Sequence, residues 1–156
     1  MISSTKGNVT WDRQEAEELV KSGLSKLIFA VDGMDQTTYS KYRIGGSLQK
    51  ILENIRLLVE TKRRLGSIFP LINMRMLVMR HNEHQTVDFL ELGKSLNADI
   101  VSYKTLCDYR KGDLNADFPQ NKKYLRYDLQ TLRDPAANKE PYYCYRPWRR
   151  LEIFTD

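Results

Sequence analysis

The sequence predicts an α/β fold: a partial (β/α) barrel with parallel strands and covering helices, followed by an irregular C-terminal extension. Apolar runs of strand length alternate with amphipathic helical stretches over roughly the first two thirds of the chain. The connections between successive strands are long enough to hold a helix, which implies parallel pairing and right-handed crossovers. After Leu106 the density of Asp, Asn, Gly and Pro rises and long periodicity stops. The expected organisation is therefore a barrel-like part over residues 1–106 and an extension over residues 107–156.

The elements follow in order. Met1 to Ser4 is a short apolar start, and Thr10 is placed to cap a helix from about Trp11 to Ser22 that Gly23 stops. Leu24 to Val31 has the length and content of a strand and ends at the turn pair Asp32-Gly33. Alternation then puts Leu27, Phe29 and Val31 on one face, and Lys26, Ile28, Ala30 and Asp32 on the other. Asp35 is expected to cap a short helix through Tyr39 and Tyr42, which Gly45-Gly46 breaks.

Ser47 then caps the most strongly patterned helix. Leu48, Ile51, Leu52, Ile55, Leu58 and Val59 recur at steps of three and four, and Lys62, Arg63 and Arg64 lie near the end, where the helix dipole favours cations. Gly66 ends it. Phe69 to Met79 reads as a strand with Pro70 near its beginning, where a missing N–H is tolerated. Asn73 and Arg75 share a face with Leu77 and Met79. Asn82 and Gln85 have capping-box spacing before a helix carrying Phe89, Leu92 and Leu96. Ala98 to Leu106 is a further strand, and in the extension only Tyr124 to Leu132 has the pattern of a short helix.

Composition narrows the function. The chain has 156 residues, 41% of them hydrophobic and 29% charged, enough apolar content to build a core and too much for a disordered or collagen-like chain. No apolar run has the length of a membrane span and no secretory leader opens the sequence, so a soluble cytoplasmic protein is expected, with no membrane partner. The net charge of +5 is mild and permits nucleic-acid binding without arguing for it. The two cysteines, Cys107 and Cys144, form no disulfide framework, and two thiols cannot complete a four-cysteine site.

Pattern alone gives no reaction. However, Gly23-Leu24-Ser25-Lys26-Leu27-Ile28-Phe29-Ala30-Val31-Asp32-Gly33, followed by Thr38-Tyr39-Ser40-Lys41-Tyr42-Arg43-Ile44-Gly45-Gly46, resembles the radical S-adenosylmethionine (radical SAM) enzymes. There a strand ending in a Ser-apolar-Asp-Gly-like sequence precedes a Tyr-x-x-x-Arg-x-Gly-like segment and a long crossover helix. Leu77-Val78-Met79-Arg80-His81-Asn82-Glu83 similarly resembles the end of the family's next strand. On this reading residues 1–106 are the C-terminal half of the partial barrel. Cys144-Tyr145-Arg146-Pro147-Trp148-Arg149-Arg150 through Asp156 resembles the start of a SPASM domain, the cysteine-rich extension that holds auxiliary clusters in one branch of the superfamily.

The resemblance implies roles for particular residues. Asp32 and Arg43 would orient S-adenosylmethionine, Arg43 through a planar, permanently charged donor fork, and Asn82 would be a further cofactor-binding residue. Cys144 would be a latent auxiliary-cluster ligand, since one thiolate holds no cluster. Plainer readings stand beside these: a turn-forming Asp-Gly pair, a surface Arg before a Gly-Gly break, and an Asn that caps a helix. Asn73 and Arg75 line the lumen if their parity is inward. His81 and His84 straddle a strand-to-helix boundary without a third ligand and receive no metal. Cys107 reads as a buried small hydrophobe. Catalytic residues are not identifiable.

The intact relative would use a [4Fe–4S] cluster to cleave S-adenosylmethionine reductively and abstract a substrate hydrogen. Its partners would be a peptide or small-metabolite substrate and an electron donor such as a flavodoxin or ferredoxin. Two departures bear on this chain. The Cys-x-x-x-Cys-x-x-Cys loop is absent, and Ala30 stands where many relatives carry Ser. The sequence therefore reads as a fragment, inactive alone and expected to bind none of these cofactors by itself. The alternative is a nonenzymatic module that uses Tyr142 to Arg150 to stack on and neutralise single-stranded nucleic acid or to bind a protein; the flanking Asp134, Glu140, Glu152 and Asp156 count against nucleic acid.

Overall fold

Four strands, β1 (Ile2–Thr5), β2 (Lys26–Ala30), β3 (Leu71–Val78) and β4 (Ile100–Thr105), lie side by side in chain order, and every neighbouring pair is parallel. The structure is a computed structural model and describes residues 1–5, 7–106 and 117–125. Helices make each crossover: α1 (Arg13–Lys21) between β1 and β2, α2 (Gln36–Tyr42) and α3 (Leu48–Arg64) between β2 and β3, and α4 (Thr86–Ser95) between β3 and β4. Parallel strands adjacent in sequence and in space, joined by helices, are the construction of a (β/α) barrel wall. The α/β partial-barrel expectation is thus the fold observed.

One face of the sheet is sealed by helices. Leu27 and Phe29 of β2, Ile72, Met74, Met76 and Val78 of β3, and Val31 just past β2 are all buried. They form one cluster with Leu48, Ile51, Ile55 and Leu58, the stripe of α3 that its three- and four-residue spacing marks out. Burial of each such side chain contributes about 1.5–3 kcal/mol, so this seam dominates the stability of the wall. On β4, Val101 meets α4 at Gly93, where an added Cβ would lie 2.3 Å from Val101 Cγ2. The absence of a side chain there sets how closely α4 approaches the sheet.

Several boundaries differ from the sequence expectation. The short apolar start is a strand, with Ile2 opposite Lys26, because an edge position needs only one partner. The first helix is capped by Asp12 and not Thr10. Asp12 accepts the Glu15 N–H at 2.8 Å while Glu15 accepts the Asp12 N–H at 2.9 Å, a reciprocal box that fixes the start two residues later than expected. The approach to α1 is held instead by Asn54 of α3, which accepts from Trp11 N and donates to Val9 O and Gly7 O. Asp35 and Ser47 cap α2 and α3 as expected. A 3-10 turn spans Lys122–Tyr124 and Leu125 is extended; residues 126–132, most of the helix expected from Tyr124, lie outside the described residues. No helix among the described residues is long and apolar enough to cross a membrane.

Candidate functional site

The C-terminal ends of β2 and β3 are tied together by a buried polar node. The Val31 N–H donates to Arg75 O, which continues the ladder one residue past β2 and carries Asp32 alongside Leu77. Asp32 is 1% exposed. Its Oδ1 accepts the Leu77 N–H at 2.7 Å, and its Oδ2 lies 2.5 Å from Arg43 Nε. Each carboxylate oxygen therefore has a charged or backbone donor, which such a buried anion requires.

Gly33 explains how α2 comes so close. Its backbone dihedral is ordinary, but a Cβ would sit 2.5 Å from Tyr39 N, in the path of the helix backbone. Here the Asp-Gly pair serves close approach and not a left-handed turn. Asp35 opens α2 by accepting from the Thr38 N–H and Thr38 Oγ1, both at 2.8 Å, and from Gln85 Nε2 at 2.9 Å. The Thr38 backbone and side-chain bonds, followed by the Gln85 bond, hold the Asp35 carboxyl down to about 2. Gln85 also accepts the Met34 N–H through Oε1, which fastens the β2–α2 loop to the segment after β3. Arg43 is the residue at which α2 ends, its N–H donating to Tyr39 O, and its side chain returns from there to Asp32.

Asn82 completes the node. Its Oδ1 accepts the Met79 N–H at 2.7 Å, and its Nδ2 donates to Asp32 O at 3.0 Å and Leu77 O at 2.9 Å. It is fully buried and its side chain makes no cap bond to the 3-10 turn Glu83–Gln85. The helix-capping expectation is corrected: the side chain is used to join two strand ends. Asp32, Arg43 and Asn82, which the sequence nominates separately, are thus one contiguous assembly. Their availability differs. Asp32 and Asn82 have their polar atoms engaged within the protein, whereas Arg43 reaches Asp32 through Nε, not through its two Nη groups, and its side chain is 19% exposed.

A second polar row crosses the face of the sheet away from the helices. Arg75 pairs in register with Ala30 on one side and Ser102 on the other. Arg75 Nε donates to Ser102 Oγ at 3.2 Å, and Ser102 Oγ donates to Asn73 Oδ1 at 2.8 Å. The parity expected for Asn73 and Arg75 is therefore the one away from the helix seam. Ser102 is a member of this row that the sequence reading misses, although alternation from Ile100 to Lys104 places it on this face.

His81 lies at the same end of the sheet. Its Nε2 is buried without a partner among the described residues, and burial, with the positive charge of Lys41, lowers its pKa against the opposing pull of Asp117 and Asp32. Among the described residues no group of three or more His, Cys, Asp and Glu gathers into a metal site. Cys107, Cys144 and the run Tyr142 to Arg150 lie outside the described residues.

At the opposite end of the strands, Lys62 of α3 meets Asp99 at 2.6 Å, and Asp99 also accepts the Ile72 N–H. A shallow depression of about 450 Å³ beside this pair is lined by Val59, Ile68, Leu71 and Asn97. It is remote from the Asp32 node.

No protein-family model matches the sequence, and neither does any curated protein. Solved structures do share the fold. SuiB from Streptococcus suis superposes with a TM-score of 0.55 at 14% identity over 85% of this chain and 27% of that one. Histidine-tagged anSMEcpe with bound AdoMet gives 0.53 at 14% identity over 74% of this chain and 30% of that one. Both are radical SAM/SPASM-type enzymes. The likeness is one of fold, and the chain spans less than a third of the length of either.

Proposed function

We propose that this chain is the later part of the partial barrel of a radical SAM enzyme of the SPASM branch, and that the Asp32–Arg43–Asn82 node shapes one side of its S-adenosylmethionine site. The observation that carries this reading is the meeting of Asp32 and Arg43 at the C-terminal ends of parallel strands, the end at which barrel enzymes bind ligands. The fold shared with two enzymes of this type, one holding AdoMet, supports it.

The residues present fit the nucleoside cofactor in one respect and not its cluster. Arg43 offers a charged edge through its Nη groups, while Asp32 fixes the guanidinium plane and Asn82 fixes Asp32; Arg43 is thus the contact and the other two are positioning residues. Bound S-adenosylmethionine supplies the 5′-deoxyadenosyl group that abstracts a substrate hydrogen. The two cysteines of the sequence fall short of the three thiolates of an open-site cluster, so the chain's residues do not fit a [4Fe–4S] group and no electron transfer is assigned to them. A peptide or small-metabolite substrate and a flavodoxin- or ferredoxin-like donor belong to the whole enzyme in this proposal.

The genomic reading frame around this sequence is the test. Three suitably spaced cysteines encoded upstream, and Gly with further cysteines downstream, are the expected result; stop codons bounding both ends overturn the enzyme assignment. Anaerobic incubation of the chain with iron and sulfide is expected to give no stoichiometric cluster absorbance, and a well-formed cluster would refute the cysteine argument.

A further inference from the structure

The sheet face away from the helices has a chemical bias of its own. Its strand positions carry three cations, Lys26 of β2, Arg75 of β3 and Lys104 of β4, while Asp32, the acid that follows β2 with the same parity, is already paired with Arg43. Arg75 is in the middle, half-buried, with the small residue Ala30 as its register partner on β2. Among the described residues no carboxylate pairs with it.

Its orientation is fixed from behind. Asn73 is 2% exposed and its Oδ1 accepts the Ser102 hydroxyl proton, which leaves a Ser102 lone pair to accept from Arg75 Nε. The direction of both bonds is determined, and together they engage the Nε position of the guanidinium through the sheet. The Nη groups make no ion pair among the described residues. A planar fork with its orientation set and no ion pair among the described residues is complementary to a carboxylate, which it can bind through two parallel hydrogen bonds. The neighbouring Lys104, one row nearer the strand ends opposite Leu77, adds positive potential without competing for that geometry.

We infer that Arg75 is a carboxylate receptor on the open face of the sheet, with Ser102 and Asn73 as its positioning residues, and that the substrate of this barrel carries a carboxylate. The second clause rests on the enzyme reading above; the first does not.

The test follows the side-chain Nε–Hε resonance of Arg75 in the 156-residue chain, assigned by its loss in Arg75→Lys. Sodium succinate is titrated in at constant ionic strength with chloride as the balancing anion, so that general screening is held fixed. A saturable shift of this resonance, absent with chloride alone, is expected, and S-adenosylhomocysteine is expected to leave it in place. Ser102→Ala is expected to keep the backbone spectrum and weaken succinate binding about fivefold, because the fork loses its support. A response to S-adenosylhomocysteine alone would transfer the carboxylate to the cofactor and overturn the substrate assignment. No response to either, or the same response at every surface arginine, overturns the receptor. Because succinate needs no cluster, failure of the radical SAM reading in the genomic test leaves this result standing, and the reverse also holds.

Discussion

Strand β3 is fastened at both ends by an aspartate that accepts one of its backbone N–H groups and pairs with a cation. At the start, Asp99 takes the Ile72 N–H at 2.7 Å and Lys62 at 2.6 Å; at the end, Asp32 takes the Leu77 N–H at 2.7 Å and Arg43 at 2.5 Å. The two clasps look alike and are built differently. Asp99 is 32% exposed and makes both contacts through one oxygen, leaving the other for water. Asp32 is 1% exposed and commits one oxygen to each partner. Lys62 is a point charge on a flexible stem, whereas Arg43 is a rigid fork. The lower clasp therefore holds a helix to the sheet with solvent available as a substitute. In the upper one, the carboxylate is shielded from solvent and its geometry is fixed by protein groups alone.

Substitutions at the two ends separate these roles. Arg43→Ala leaves a buried carboxylate facing one N–H, and unfolding by urea is expected to show a loss of about 3–5 kcal/mol. Gly33→Ala, also at the upper end, puts a methyl group into the α2 backbone and is expected to cost about 3 kcal/mol, with α2 amides the first to lose exchange protection. Lys62→Met at the lower end keeps the buried stem and releases Asp99 to water, so its cost is expected below about 1 kcal/mol. A Lys62 loss equal to that of Arg43 would erase the distinction.

Acid titration sharpens the comparison further. The Asp35 carboxyl is lowered to about 2 from 3.8 by the Thr38 and Gln85 bonds, so the unfolded chain binds the proton first as pH falls. Its contribution is fully present above 3.8 and is lost as pH falls through about 2. Monitoring the Thr38 and Met34 amides between these values is expected to show α2 loosening at the upper end, and Asp35→Asn is expected to flatten that dependence.

Much of the wall is legible because local chemistry and tertiary demand agree. The α3 stripe, the Ser47 and Asp35 caps and the alternation of Leu27, Phe29 and Val31 each appear as the spacing predicts. Sequence and structure part where a side chain serves a distant segment. Asn82 has the spacing of a cap, yet it bonds Asp32 O fifty positions away. Thr10 has the chemistry of a helix start, while Asn54 of α3 fixes that approach. Gln85 carries no signal of its role, since an amide that braces a loop across the sheet looks like any polar helix-start residue.

Hydrophobic periodicity and turn chemistry, which act over a few neighbouring residues, determined the order of strands and helices and hence a wall of parallel strands. Which polar groups are used up within the protein and which remain available was decided only in three dimensions. Hydrogen-bond capacity is shared among residues tens of positions apart, and burial makes each unmatched donor or charge costly. So the sequence nominates Asp32, Arg43 and Asn82 one by one and leaves Asn73 and Arg75 to their parity, and tertiary packing sorts them into groups that hold and groups with an edge left to offer.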